Sequence, residues 1–506
     1  MHMRVSQPRD SSPNLQSEVT ESIRGAMQKF LGKPVTPPVV PTDEVVALRQ
    51  GDSSSPLREN MFNLTLWFDD VLDVDKLSSA LGRLVEIGNW RILGARLRAN
   101  GGALEHHIPA RYDEKRPGFT LTSASYAATL AKTLPQASYH PRVVCTAQQL
   151  DQLVQHAARP TKIDDWLYTD RPQLCLHVAT FADATAITIT WPHTMSDLSG
   201  IGVFLEAWTA ILRGDETAVP ELRPASEDPL ATLGSRVPPQ QFVHFHRQVK
   251  IPGLLRLAFR STIERLFFPR EEHRLVCVPH GFLAQLHAKA QEELHDIDGP
   301  APGFVSESDV LLAWWVRAIC AVLNPRPSQT ILLVNIFDTR PILRETHLPP
   351  PSFYLGNAIA NSYTLTTARR VLQDPLGRVA AEIRQALNQQ RTLEQVEAQA
   401  ALEKLTWERS NHPTYLGDGG MLFQVCANWG KARLYDMDFA GAMQGNPGPK
   451  KKPSFVHTTR YTHCSSWRNI GVVLGRDTGG NWWISWNLRA QLWPKLERWM
   501  EESVPT

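Results

Sequence analysis

The chain has 506 residues, 42% of them hydrophobic and 21% charged, with 53 Lys+Arg against 51 Asp+Glu and a formal charge of +2. This is the composition of a globular protein whose length suits two domains better than one core. The near-neutral balance, with no basic stripe carrying interleaved aromatics, argues against a nucleic-acid partner, and apolar runs such as Val310–Val316 and Ile331–Val334 are too short for a transmembrane segment.

Residues 1–35 are polar and have no apolar secretory core. Six scattered cysteines (Cys145, Cys175, Cys277, Cys320, Cys426, Cys464) lack CxxC spacing and read as buried thiols, neither disulfides nor metal ligands. Both features predict a cytoplasmic protein. Fifteen Trp, several in apolar runs, read mostly as core bulk. Residues 34–42 predict an extended edge, Phe62–Phe68 a strand and Val74–Ile87 a helix. Trp90–Leu97, the turn signal Asn100-Gly101-Gly102 and the return strand Ala103–Ile108 predict a hairpin. Helices are expected around Ala127–Leu134 and Ala147–Ala157, then a hairpin of Leu174–Phe181 and Ala186–Trp191.

Residues 219–240 are rich in Pro, Ser and Glu and read as a linker. Gln241–Pro269 is predominantly basic among Phe, Leu and Ile. Such a helix can meet a membrane surface, but packing at a domain junction with its arginines in water is the preferred reading. Strand Arg274–Pro279, helix Phe282–Glu293 and helix Ser306–Ala321 follow, the last opened by Ser306 and Asp309 as an approximate capping box. Further strands are expected at Thr330–Phe337, Ala358–Leu365, Met421–Asn428, Ile470–Leu474 and Trp482–Trp486. The expected domains are 1–220 and 273–506, joined by a crossover at 221–272.

The chemistry concentrates in Trp191–Gly200, Trp-Pro-His-Thr-Met-Ser-Asp-Leu-Ser-Gly. A strand leads into it, and Leu198, Ile201, Leu205, Trp208 and Leu212 carry helical spacing out of it, with Ser199 as the expected N-cap and Gly214 just past the end. His193 is therefore predicted on a sharp strand-to-helix connection. A neutral imidazole there can deprotonate an alcohol or amine. Asp197 either orients His193 or holds the loop by pairing with a distant arginine, and the second role is favoured. Ser196 and Ser199 are nucleophiles only on paper, since no GxSxG elbow exists. Gly200-Ile201-Gly202 lacks the third glycine of a dinucleotide fingerprint, and neither a Walker A loop nor HExxH is present, so no metal or permanently bound cofactor is expected. Lys450, Lys451 and Lys452 follow a Pro/Gly turn at 446–449 and could meet phosphates or form a solvated loop.

His193 and Asp197 in this context resemble the HxxxD motif of the BAHD superfamily of acyl-CoA-dependent acyltransferases, particularly its fungal secondary-metabolism branch. The resemblance runs over nearly the whole chain. Asp75–Leu97 is similar to the family's first helix and "AGRL" strand entry, Ser306–Arg317 to its central C-domain helix, and Asp338-Thr339-Arg340 to "DGR". Leu348–Asn357 is similar to "LPxxYFGN", and Asn428-Trp429 precedes Asp438 as the family's "SW" or "NW" pair precedes DFGWG. Here that last motif reads Asp438-Phe439-Ala440-Gly441-Ala442, a departure that bears on how coenzyme A is held. Pro192 replaces the second histidine of peptide-synthetase condensation domains.

The resemblance implies two similar α/β domains of the chloramphenicol-acetyltransferase-like type, mixed sheets flanked by helices with an active-site channel between them. It implies a monomer that takes acyl-CoA as co-substrate and a small hydrophobic acceptor, with His193 as general base, no acyl-enzyme, and Trp429 as oxyanion donor. Asp197, Arg340 and Asp438 would form the structural salt bridge, and Ser306 with Lys450–Lys452 would contact the donor. A carrier-protein donor, a diverged lyase, cyclase or hydrolase, and a non-catalytic accessory protein stay open as alternatives.

Overall fold

The structure, a computed structural model, describes residues 35–49, 51–130, 134–135, 138–154, 156, 158–295, 303–410, 412–444, 450–462 and 468–503. The expectations for the first 34 residues, for Cys464 and for the 446–449 turn lie outside them. The N-terminal half supplies strands β1 (Glu44–Ala47), β2 (Asn60–Phe68), β3 (Arg96–Asn100), β4 (Ala103–Ile108), β5 (Thr120–Ser125), β6 (Arg142–Thr146), β7 (Cys175–Thr180) and β8 (Thr185–Pro192). The C-terminal half supplies β9 (Glu271–Val278), β10 (Thr330–Asp338), β11 (Ile359–Thr367), β12 (Leu422–Asn428), β13 (Phe455–Thr462), β14 (Ile470–Arg476) and β15 (Trp482–Arg489).

They form a five-stranded sheet in the order β13-β2-β8-β7-β5, a seven-stranded sheet in the order β11-β10-β12-β14-β15-β9-β6, and a small β1-β4-β3 sheet. Both large sheets mix parallel and antiparallel pairs. The halves exchange strands. β13 pairs antiparallel with β2 from Phe455↔Trp67 to Thr462↔Asn60, and β6 pairs with β9.

On the first sheet, the helix Val74–Leu84 is capped by the Asp73 carboxylate and buries Leu77, Leu81 and Leu84. The Trp208 indole of helix Leu198–Leu212 donates to its Leu77 carbonyl at 3.1 Å. On the second sheet, helix Glu307–Leu323 begins in the capping box that Ser306 and Asp309 predict, and Trp315, Trp486 and Trp493 fill the space beneath it. Among the described residues, nine tryptophans are less than 2% exposed, so most of the Trp content is core bulk. Gly101 and Gly102, at φ +57° and +92°, make the β3–β4 turn, a backbone that side chains resist.

The differences from expectation are local. Gly88–Gly94 is a 3-10 segment, so the predicted Trp90–Leu97 strand starts only at Arg96. Residues 127–130 are irregular, and residues 131–133 of the helix expected around Ala127–Leu134 lie outside the described ones, though Leu134 N donates to the Leu130 carbonyl at 3.4 Å. Residues 219–240 lack regular structure beyond short turns, yet they are tied down on both sides: Trp90 Nε1 donates to the Pro220 carbonyl, Arg223 N to the Phe353 carbonyl and Gly234 N to Glu397. The five described cysteines are free thiols. No described helix is long and apolar enough to cross a membrane, and no group of three metal-ligating side chains occurs among the described residues.

Burial holds the His106, His156 and His273 imidazoles down at about 3, against an ordinary 6.5. The unfolded chain therefore takes up protons on them below about 6.5 while the native state does not, and acid favours unfolding. Asp52 opposes this, because burial raises its carboxyl to about 6 and the native state protonates first. Three groups against one predict a melting temperature that falls as pH drops from about 6.5 towards 4. A thermal-melt series over that interval with a flat or rising trend would remove these buried imidazoles as the acid-sensitive element.

Candidate active site

Strand β8 is buried along its whole length and lies between β2 and β7, so its end is fixed from both sides. Pro192 closes it opposite Met61, and His193 N donates to the Asn60 carbonyl at 2.9 Å. A turn then leads into the helix at Leu198. Its N-cap is Asp197, whose Oδ1 accepts from Gly200 N at 3.1 Å; Ser199, the residue expected to cap, lies inside the first turn. Ser196 is buried with its hydroxyl donating to the Leu355 carbonyl at 2.7 Å, a geometry that serves packing and offers no nucleophile. Gly200 is required at its place, since a Cβ there would sit 2.0 Å from Ser196 Oγ and 2.6 Å from the Leu355 carbonyl.

The other Asp197 oxygen faces the second half of the chain. Oδ2 accepts from Arg340 Nη1 at 3.0 Å and from Ala358 N at 2.9 Å. Arg340 is itself buried. Its Nη1 also reaches Asp338 Oδ1 at 2.9 Å, its Nε donates to the Tyr354 carbonyl, and its Nη2 to the Gly356 carbonyl. Burial works against the guanidinium charge, but Asp197 and then Asp338 outweigh it and hold its pKa above the ordinary value.

His193 is half-buried, and its Nδ1 is buried without a hydrogen-bond partner. Burial holds the imidazole below its ordinary pKa, an effect partly offset by its own backbone, the Asp197 charge and Asn357. The ring is therefore neutral near pH 7. Its backbone is clamped: Asn357 Nδ2 donates to the His193 carbonyl at 2.9 Å and to Asp52 Oδ1 at 2.8 Å, while Asn357 N donates to the same Asp52 oxygen at 2.7 Å. Phe62 packs edge-on against both His193 and Trp429, with centroids at 5.2 and 5.7 Å.

His193, Phe62 and Trp429 line one cavity of about 1000 Å³ whose wall draws on both halves and on the 219–240 segment through Asp228, Leu230 and Leu233. Ser306 is also on this wall, where its hydroxyl donates to Asp309 and accepts from Arg384 Nη2 at 2.7 Å. Two expectations fail here. Asp438 makes no part of the Asp197–Arg340 pair: its Oδ1 accepts from Ala440 N and Lys451 N, because the altered motif folds into a tight turn at Ala440–Ala442. That turn docks on the first half, with Phe439 against Phe68 and Trp208 and Gly441 too close to the Leu212 carbonyl for any side chain. The lysine run is also off the cavity wall; Lys451 pairs with Asp70 and Lys452 with Asp436, both at 2.9 Å, and Lys450 is exposed. The cationic side chains that do line the cavity include Arg384, Arg391 and Lys431. Arg384 and Arg391 lie along and at the end of one helix, Leu376–Gln390, and Lys431 on a distant turn, so they leave no motif in the sequence. Burial and the nearby Arg391 lower the Lys431 pKa, which marks a locally positive stretch of wall.

Comparison with known proteins follows the same lines. Residues 147–461 match the family model described as the Transferase family. The chain is 40% identical over 482 residues to acetyltransferase adrJ of Penicillium rubens, spanning 92% of this chain and 97% of that one. It is 34% identical over 489 residues to a Penicillium decumbens protein named transcriptional regulator calD, spanning 93% and 97%. Among solved structures, F. graminearum TRI101 in complex with coenzyme A and T-2 mycotoxin shares the fold with a TM-score of 0.64 at 16% identity, over 90% of this chain and 97% of that one.

Removing one partner from the Asp197–Arg340 pair leaves a buried charge unmatched, at a cost of about 3–5 kcal/mol. Asp197→Ala and Arg340→Leu are each expected to lower stability by that order. The double variant should recover part of the loss in a denaturant-based double-mutant cycle. Simple additivity of the two losses would mean the pair carries no coupling energy.

Proposed function

The chain belongs to the Transferase family as a fungal BAHD acyltransferase, and from that premise we propose that it moves an acyl group from acyl-CoA to a hydroxyl of a hydrophobic small molecule. The observation that carries this reading is a neutral, rigidly clamped His193 on the wall of a two-sided cavity large enough for two substrates. The reading keeps two lobes, 1–220 and 273–506, joined through 221–272.

His193 takes the acceptor hydroxyl proton as that oxygen attacks the thioester carbonyl. The tetrahedral oxyanion collapses, the C–S bond breaks, and the proton held by His193 goes to the departing thiolate. No acyl-enzyme forms, because holding both substrates at one imidazole supplies the proximity term, and the one buried serine of the motif is already engaged. Trp429, packed against Phe62 as His193 is, is the proposed donor to the oxyanion through its indole N–H. Asp197 acts through position: it caps the helix behind His193 and ties the loop to Arg340.

For the nucleotide end of the donor we favour the positive wall of Lys431 and Arg391, beside Ser306 and Arg384, over Lys450–Lys452, two of which already hold carboxylates. The name borne by the P. decumbens relative supports an accessory, non-catalytic role as a second reading. It leaves the clamp on His193 without a purpose.

His193→Ala is expected to keep the fold and lose roughly 10²–10⁴ in kcat with acyl-CoA and an acceptor alcohol. Turnover near wild type would take His193 out of the reaction, and folded wild-type protein inert to every acyl donor would favour the accessory role. The Lys431→Gln and Arg391→Gln variants should raise KM for acyl-CoA and leave the acceptor KM nearly unchanged. If replacing Lys450–Lys452 raises KM at low salt and these two changes do not, the phosphates sit on the lysine run instead.

A further inference from the structure

Among the described residues, exposed large apolar side chains gather on one element, the helix Ile251–Phe267 and the residue after it. Ile251 is 73% exposed, Leu255 and Phe259 66%, and Leu266 and Phe267 74%; Ile263 is also exposed. No residue of the helix is buried. At about 100° per residue, Ile251, Leu255, Phe259 and Ile263 span an arc of about 120°, and Leu266 falls within it.

The inward face is fixed by other contacts. Leu257 packs on the cluster of Leu332, Val334 and Val425, Glu264 pairs with Arg468 and Arg489, and Gly253 abuts the Gly419 backbone. The one acid of the helix is thus half-buried against two arginines of the protein, and the apolar stripe is left facing solvent. By the same angular step Arg256 borders the stripe on one side and Arg265 on the other, while exposed Lys250 and Arg270 stand at its two ends.

We propose that this helix docks the protein on an anionic phospholipid surface. An apolar stripe rimmed by long basic side chains suits shallow burial in the headgroup region, where arginines reach phosphates while their stems stay with the acyl chains. The charge selects an anionic surface and works against a second copy of this chain, because a two-fold contact through the stripe would set the basic residues Lys250, Arg256 and Arg270 of one copy near those of the other. The helix is about 25 Å long and presents a ridge. Under it, Leu332, Val334 and Val425 also line the active-site cavity, so docking would place that wall within a helix diameter, about 10 Å, of lipid.

The test is co-sedimentation of the full chain with vesicles of phosphatidylcholine alone and of phosphatidylcholine mixed with phosphatidylserine. Binding is expected to the mixed vesicles and to weaken at high salt. The Leu255→Asp/Phe259→Asp/Leu266→Asp variant, with its melting temperature checked, should bind roughly tenfold more weakly or worse. Lys250→Gln/Arg256→Gln should lose the preference for phosphatidylserine. Phe259→Trp, a change that keeps an apolar ring at an exposed site, should bind like wild type. Failure to bind mixed vesicles, binding that the triple variant retains, or a reversible dimer that the triple variant abolishes would each overturn the proposal.

Discussion

The carboxylate of Asp197 is the point on which the site turns. One oxygen caps the helix that follows His193, and the other receives Arg340 and the Ala358 amide from the opposite half of the chain. Neither function tolerates the loss of the other. If the helix shifted, the carboxylate would leave a buried guanidinium with Asp338 alone; if the second half shifted, a buried carboxylate would lose two donors. A single side chain therefore sets the register between the two halves of the chain and the direction in which His193 leaves its strand. Arg340 extends the constraint by holding the Tyr354 and Gly356 carbonyls, which fixes the segment that carries Asn357.

His193 itself is held without a partner for Nδ1 among the protein groups, which is unusual for a buried polar atom and costs stability. What replaces a ring hydrogen bond is a clamp on the backbone from Asn60 and Asn357, an aromatic contact from Phe62, and Asp52 behind Asn357. Rigidity is thereby separated from proton affinity. A carboxylate bonded to the ring would raise its basicity and compete for its proton, whereas an amide bonded to the main chain fixes position and leaves the imidazole neutral.

Much of this was legible in local patterns. Asn100-Gly101-Gly102 marked a hairpin because its backbone angles admit little else, and Ser306 with Asp309 marked a helix start because both orphan amides need a partner. The His193 connection followed from a β-branched run meeting a helical period, and the distant Arg340 from the family pattern. The misses share a cause: their partners are far away in sequence. Strand β13 reads His-Thr-Thr-Arg, polar on both faces, yet His457, Thr458 and Thr459 are buried because Trp67, Asn63 and Asp151 bond them across the halves. Asp52, Arg391 and Lys431 belong to no motif that the sequence displays. Ser199 and Asp197 are equally good caps by residue type, and Asp197 takes the place because it also faces the turn to meet Arg340.

The exchange of strands gives the molecule a particular order of assembly. β2 finds one neighbour, β8, within the N-terminal half, but its other neighbour, β13, is supplied by residues 455–462. On the ribosome the first sheet must persist with β2 as an open edge through the synthesis of nearly the whole second half, and such an edge invites pairing with other chains. Closing it is a contact of very high sequence separation, which slows folding. Residues 455–462, remote from His193 in sequence, make the sheet behind that histidine complete, so a nascent chain can close that sheet only after they have been made.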